Sequence, residues 1–147
     1  MSRFLGIAQH TMDGKGRVSL PAKYRAELAA SELVLVGGIE ECIWLYRKEN
    51  YDRLIAPLLE DDLDETLDDL REFFIAGACG VEVDSAGRIR VPADMRAYAN
   101  LTRAVAVVGK GNRLELWDGE QHAERRAGID KRKALADLRK RGEAQQA

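Results

Sequence analysis

Apolar and polar positions alternate weakly from Phe4 to Met12, which predicts a first strand. Asp13-Gly14-Lys15-Gly16 breaks that pattern with turn chemistry: the carboxylate accepts local backbone bonds and the glycines allow positive φ. Val18-Ser19-Leu20 alternates again. Pro21 has no N–H for a ladder but suits the first turn of a helix, expected over Ala22–Ala30 with Tyr24, Leu28 and Ala29 inward. Leu33–Val36 reads as a buried strand ended by Gly37-Gly38, and Cys42–Tyr46 as the next strand. A helical pair follows. Lys48–Glu60 has Tyr51, Leu54, Ile55, Leu58 and Leu59 at helical spacing, with a bend or break expected at Pro57. Asp62–Ala76 places Leu63, Leu67, Leu70, Phe73 and Phe74 on one face and acids on the other, an amphipathic helix with its apolar side inward.

The same order of elements then recurs. Val81-Glu82-Val83 is expected as a strand, Asp84–Gly87 as a turn and Arg88–Val91 as a strand. Pro92 opens a helix to about Ala99, and Ala104–Val108 and Arg113–Trp117 are the last strands. The repetition is also literal: DGKGRVSLPAKYR from Asp13 is matched by DSAGRIRVPADMR from Asp84, 71 residues on. At that offset, with no gap, Gly6 pairs with Gly77, Val34 with Val105, Val36 with Val107, Gly38 with Gly109, Leu45 with Leu116 and Tyr46 with Trp117. A fixed period of this length signals duplication of one supersecondary unit. The expected organisation is a first unit over 1–56, a helical linker over 57–76 continuing the pair begun near 48, a second unit over 77–119, and a charged C-terminal helix or tail over 120–147. With no low-complexity linker between them, the units are expected to pack as one pseudo-symmetric body.

Composition narrows the class. The chain has 147 residues, 46% hydrophobic and 33% charged, which fits one domain or two small ones sharing a core. No apolar run is long enough for a bilayer, and the N-terminus lacks the apolar core of a secretory signal, so a cytoplasmic location and no membrane partner are expected. Cys42 and Cys79 lack metal-ligand spacing and read as reduced thiols, a disulfide or redox role being the other reading. The net charge of −2 conceals segregation. Residues 60–72 carry eight acids against Arg71, while Glu124–Glu143 carries eight Lys/Arg against four acids. Local field governs partner choice more than the total does.

No catalytic pattern emerges. His10 and His122 have no Cys or His at ligand spacing, and no phosphate-cradling loop or nucleophile elbow is present, so neither an enzyme nor a cofactor or metal is expected. The chemistry concentrates in the repeated turn. Each copy has Asp, three residues, then Arg: Asp13/Arg17 and Asp84/Arg88. Each continues to a Pro and a further Arg, Arg25 and Arg96. One reading is that Asp and Arg lock the hairpin. The other is that a small, cationic turn approaches DNA, where Arg is the usual bidentate reader of guanine and Lys holds phosphate. The first copy, with Lys15, Arg17, Lys23 and Arg25, is the more cationic loop; the second groups Arg88, Arg90 and Arg96, with Ala86 and Asp94 in place of the lysines and Arg90 in place of Ser19.

The doubled motif, with CIWLY and NRLELW, resembles the MraZ family of bacterial transcriptional regulators over about Arg3–Trp117. The resemblance implies an α+β fold of tandem, pseudo-symmetric swapped-hairpin (AbrB-like) β-barrel units with peripheral helices. It implies chains assembled into ring-shaped homo-oligomers, octamers or larger. It further implies sequence-specific binding of double-stranded DNA at closely spaced direct repeats, rich in TGGG, upstream of the chain's own cell-division and cell-wall operon, mostly as a repressor and in association with the nucleoid. The DNA-facing residues would be Lys15, Arg17, Arg25, Arg88 and Arg96, with Asp13 and Asp84 orienting their arginines. A ring would present the same turn to successive repeats, so that weak contacts combine. Two other readings stay open: a ring-forming scaffold or interaction module whose turns never touch DNA, and an antitoxin-type protein, which would more usually carry one such unit and a disordered tail.

Overall fold

A computed structural model describes residues 3–61 and 63–146; Asp62, where the second linker helix was expected to begin, lies outside them. The strands are β1 (Ile7–Thr11), β2 (Arg17–Ser19), β3 (Leu33–Gly37), β4 (Ile43–Arg47), β5 (Cys79–Val81), β6 (Arg88–Arg90), β7 (Ala104–Gly109) and β8 (Leu114–Asp118). The helices are α1 (Arg25–Ala29, preceded by a 3-10 turn), α2 (Lys48–Leu59), α3 (Asp68–Arg71), α4 (Ala93–Tyr98), α5 (Gly119–Ala127) and α6 (Lys131–Gln146). The architecture is therefore α+β. Six strands form one antiparallel sheet in the order β1-β7-β8-β4-β3-β5, and β2 and β6 form a separate two-stranded ribbon.

Strands pair across the repeat. β1 of the first unit pairs with β7 of the second, and β5 of the second with β3 of the first. β4 and β8 join the halves, and β2 pairs with β6. The six-stranded sheet is open, with β1 and β5 as its edges, so the closed barrel implied by the resemblance is not the arrangement seen. Val81-Glu82-Val83 is also shifted: the second unit's first strand is Cys79–Val81, and Val83 packs against the core beyond its end.

The sheet separates two apolar clusters. One contains Phe4, Val18, Leu20, Leu28, Leu35, Leu45, Ile89, Val91, Val107 and Leu116, and lies between sheet and ribbon. The other packs Trp44, Tyr46, Tyr51, Ile55, Phe74 and Trp117 beneath α2 and the linker. Alternation along β4 sends Ile43 and Leu45 to the first and Trp44 and Tyr46 to the second.

Facing also corrects the gap-free repeat. Leu33 and Leu35 share a cluster with Val105 and Val107, whereas Val36 and Val108 share the other. The pairing of Val34 with Val105 thus joins opposite faces, because a one-residue slip exchanges the sides of a strand. The extra residue enters near Asn100, whose φ of 56° places it in the left-handed region that Asn tolerates. The hairpin loop after β7 is correspondingly one residue shorter than that after β3, so that β4 and β8 return to the original offset.

The linker departs from its sequence pattern. α2 continues through Pro57 to Leu59 without the expected break. The second segment is not one amphipathic helix but a 3-10 turn (Glu65–Leu67), α3 and a π-helical turn (Glu72–Ala76). Of its apolar residues Phe74 is buried, stacked on Trp44, whereas Leu63 is 91% exposed and Leu70 and Phe73 are also exposed. Arg71 organises this acidic stretch through backbone carbonyls: it donates to Leu58 (2.9 Å), Asp64 (3.0 Å) and Asp61.

Candidate nucleic-acid interface

Each repeated turn is built by its aspartate. The Asp13 carboxylate accepts from the backbone N–H of Lys15 (3.0 Å) and Arg17 (2.9 Å) and from Arg17 Nε (2.6 Å). Asp84 does the same with the N–H of Ala86 and Arg88 (both 2.9 Å) and Arg88 Nε (3.0 Å). The Arg17 N–H is the largest influence holding the Asp13 carboxyl down at about 2, and the Arg88 N–H likewise lowers that of Asp84. Both aspartates therefore stay ionised at neutral pH and orient their arginines. Arg88 Nη1 also lies 3.9 Å from Asp13 Oδ2, linking the two turns.

The turns close the β2–β6 ribbon, in which Arg17 faces Arg90, Val18 faces Ile89 and Ser19 faces Arg88. Val18 and Ile89 are fully buried, so alternation leaves Arg17, Ser19, Arg88 and Arg90 on the outward side. Leu20 N–H donates to Gly87 O and Val91 N–H to Gly16 O, fixing each turn to the other unit.

The further arginines cross over. A Cβ placed on Gly16 would lie 2.8 Å from Arg96 Cζ, and one on Gly87 2.6 Å from Arg25 Cδ. Both glycines have φ near +80°. Arg96 thus packs against the first turn and Arg25 against the second, so Arg25 does not join Lys15 and Arg17 as its place in the sequence indicated. Arg25 Nε donates to Leu20 O at 2.8 Å, whereas the shielded Arg96 Nε has no partner among the described residues. Lys23 also leaves the first turn, its Nζ lying 5.0 Å from the Tyr24 ring centre.

Arg90 belongs to the basic group of the second copy but is not among the residues expected to face DNA. The signal was present in Arg88-Ile89-Arg90, where an inward Ile forces both neighbours outward. Elsewhere, His122 is buried and its pKa is lowered by burial and then by Lys110 and Arg126. The Cys42 thiol is pushed up to about 12 by burial, which makes it a poor nucleophile. Both cysteines are free, and no cluster among the described residues could hold a metal ion. No helix among the described residues is long and apolar enough to cross a membrane.

These features define a class: a duplicated α+β protein whose strands exchange between repeats and whose paired Asp–Arg turns flank an outward arginine ribbon. The chain belongs to the MraZ family, whose model, described as "MraZ protein, putative antitoxin-like", matches it twice, over residues 3–73 and 74–134. It is 41% identical over 119 residues to a protein of Arthrobacter sp. strain FB24 named transcriptional regulator MraZ, covering 80% of this chain and 82% of the relative. Proteins of the same name from Acetivibrio thermocellus (41% over 118 residues; 78% and 80% covered) and Lactiplantibacillus plantarum (40% over 120 residues; 80% and 83% covered) are similar to it as well.

Proposed function

We propose that the chain is a DNA-binding transcriptional regulator and not an enzyme, acting in the cytoplasm at the nucleoid. In this reading it recognises closely spaced direct repeats upstream of its own cell-division and cell-wall operon, mostly as a repressor, and does so as a ring-shaped homo-oligomer of eight or more chains. The contacts come from Lys15, Arg17, Arg25, Arg88 and Arg96, with Asp13 and Asp84 holding the arginines in place. The supporting observation is the outward side of the β2–β6 ribbon: three arginines and a serine, two of those arginines aimed by ionised carboxylates. A two-stranded ribbon fits the major groove, where a single arginine contributes about 1–3 kcal/mol of base discrimination. Several copies side by side are then needed for specificity, which the ring supplies by multivalency. Two units in tandem, and the regulator names carried by its relatives, favour this reading over a single-unit antitoxin.

The decisive experiment is a gel shift with the DNA upstream of the chain's own coding sequence. Wild type should bind it better than a scrambled duplex at physiological salt, and Arg17→Ala should bind at least roughly tenfold more weakly. Equal binding to both duplexes refutes sequence-specific regulation; undiminished binding by Arg17→Ala refutes the role given to the turn. Light scattering checks the ring: a monomer at micromolar concentration would contradict it.

A further inference from the structure

The two turns are equivalent in backbone but not in charge, and the inequality is a product of the fold. Antiparallel pairing sets Arg90 opposite Arg17, at the end of the ribbon that carries the first turn. The corresponding position by the second turn is Ser19, opposite Arg88. The helix of each repeat crosses to the other turn: α4 sets Arg96 against Gly16 of the first turn, and α1 sets Arg25 against Gly87 of the second. One end therefore gathers Lys15, Arg17, Arg90 and Arg96 near Asp13, with Glu82 lining the same pocket as Arg90 and Arg96. The other has Arg88 and Arg25 beside Asp84, with Ala86 where the first has Lys15, and its Arg88 also reaches across to within 3.9 Å of Asp13.

Availability sharpens the contrast. Arg17 and Arg88 are each committed to an aspartate, and Arg25 to the Leu20 carbonyl. The exposed side chains of Lys15 and Arg90 form no ion pair or hydrogen bond among the described residues. The two uncommitted cations of the turns and ribbon thus stand at the same end, one from each repeat, beside Arg96, whose own Nε is shielded from solvent. A concentrated, unneutralised charge draws phosphate more strongly than the same charges dispersed.

We infer that each chain engages duplex DNA through one dominant end, composed of Lys15 and Arg17 from the first repeat and Arg90 and Arg96 from the second, with Arg90 as a direct DNA-contacting residue. This rests on the DNA-binding reading above. It gives each subunit a polarity on the duplex that two equivalent turns would not, as suits a direct rather than an inverted repeat.

The test measures affinity across a salt series for wild type, Arg90→Ser, Arg90→Lys and the transfer variant Arg90→Ser/Ser19→Arg, on the native upstream duplex and on a scrambled one. Arg90→Ser should weaken binding roughly tenfold and lower the slope of log affinity against log salt by about 1. Transferring the arginine to position 19 should not restore either quantity. Arg90→Lys keeps the charge but loses the guanidinium fork: a retained slope with reduced preference for the native duplex makes Arg90 a base reader, and a retained slope with retained preference makes it a phosphate contact. If wild type binds specifically while both single variants match it in affinity, slope and preference, the inference is wrong and the regulator reading survives. If wild type binds neither duplex, both fall. Full restoration by the transfer variant would also overturn the inference, because the ends would then be interchangeable.

Discussion

Asp13 shows how one carboxylate both closes a tight turn and aims the arginine that leaves it. Its carboxyl is lowered from an ordinary 3.8 to about 2, first by the Arg17 backbone N–H and then by the Arg17 side chain and the Lys15 N–H. A carboxylate whose folded pKa is depressed contributes stability in full above its unfolded pKa and loses it as pH falls towards the folded value. The turn should therefore weaken between about pH 4 and pH 2, and Asp13→Asn should flatten the acid limb of the stability curve across that window, as read by urea unfolding at successive pH values. Because backbone donors lead the shift, Arg17→Ala should leave the Asp13 carboxyl still below 3.8, measurable by NMR titration; a full return to 3.8 would assign the shift to the side chain instead. The Asp–Arg pairing was legible in the sequence because it is local, four residues apart in each copy. The neighbours of Arg25 and Arg96 were not, because each is supplied by the opposite repeat across the ribbon.

At the level of elements, the glycine of each turn serves two needs at once. Gly16 and Gly87 adopt positive φ, and each leaves room for an arginine of the other unit. Replacing either with alanine introduces left-handed strain of about 1–2 kcal/mol and displaces the arginine besides. Gly16→Ala should therefore lower stability by at least about 1 kcal/mol in chemical denaturation. Gly14→Ala, where an added Cβ meets nothing within 4 Å, should stay within about 0.5 kcal/mol of wild type. Elements of strong local character were readable from sequence: the Pro-initiated helices, the buried β3 and β4, and both tight turns. The register of β7 was not, because both of its faces are buried and all of Val105–Val108 is apolar, so no alternation marks the slip at Asn100. Helical periodicity also misled over the linker, where the carbonyls that Arg71 holds and the packing of Phe74 determine the path while Leu63 and Leu70 remain exposed.

The whole molecule divides into a body sealed by exchanged strands and a C-terminal extension that adds charge but no core. α5 is anchored: Asp118 caps it through the Gln121 N–H, His122 is buried edge-on to Trp117, and Arg125 pairs with Glu40 at 3.0 Å. α6 has no buried residue, and Leu135 and Leu138 are both exposed. Sequence reading foresaw few apolar contacts here but not the division into an anchored and an unanchored helix, which Gly128 makes at the end of α5. A segment that buries nothing contributes little to cooperative unfolding. Deleting residues 131–147 should therefore leave the thermal midpoint within about 2 °C of the full chain, since about 1 kcal/mol would move it by about 4 °C or less at this size. The same deletion removes Lys131, Arg132, Lys133, Arg139, Lys140 and Arg141. If those side chains meet phosphate, affinity for scrambled DNA should fall and its salt slope should decrease, while the preference for the native duplex is kept or increased, because the proposed reading assigns specificity to the turns. Unchanged binding to scrambled DNA would make α6 a solvated helix only, and loss of preference would place part of the recognition outside the ribbon.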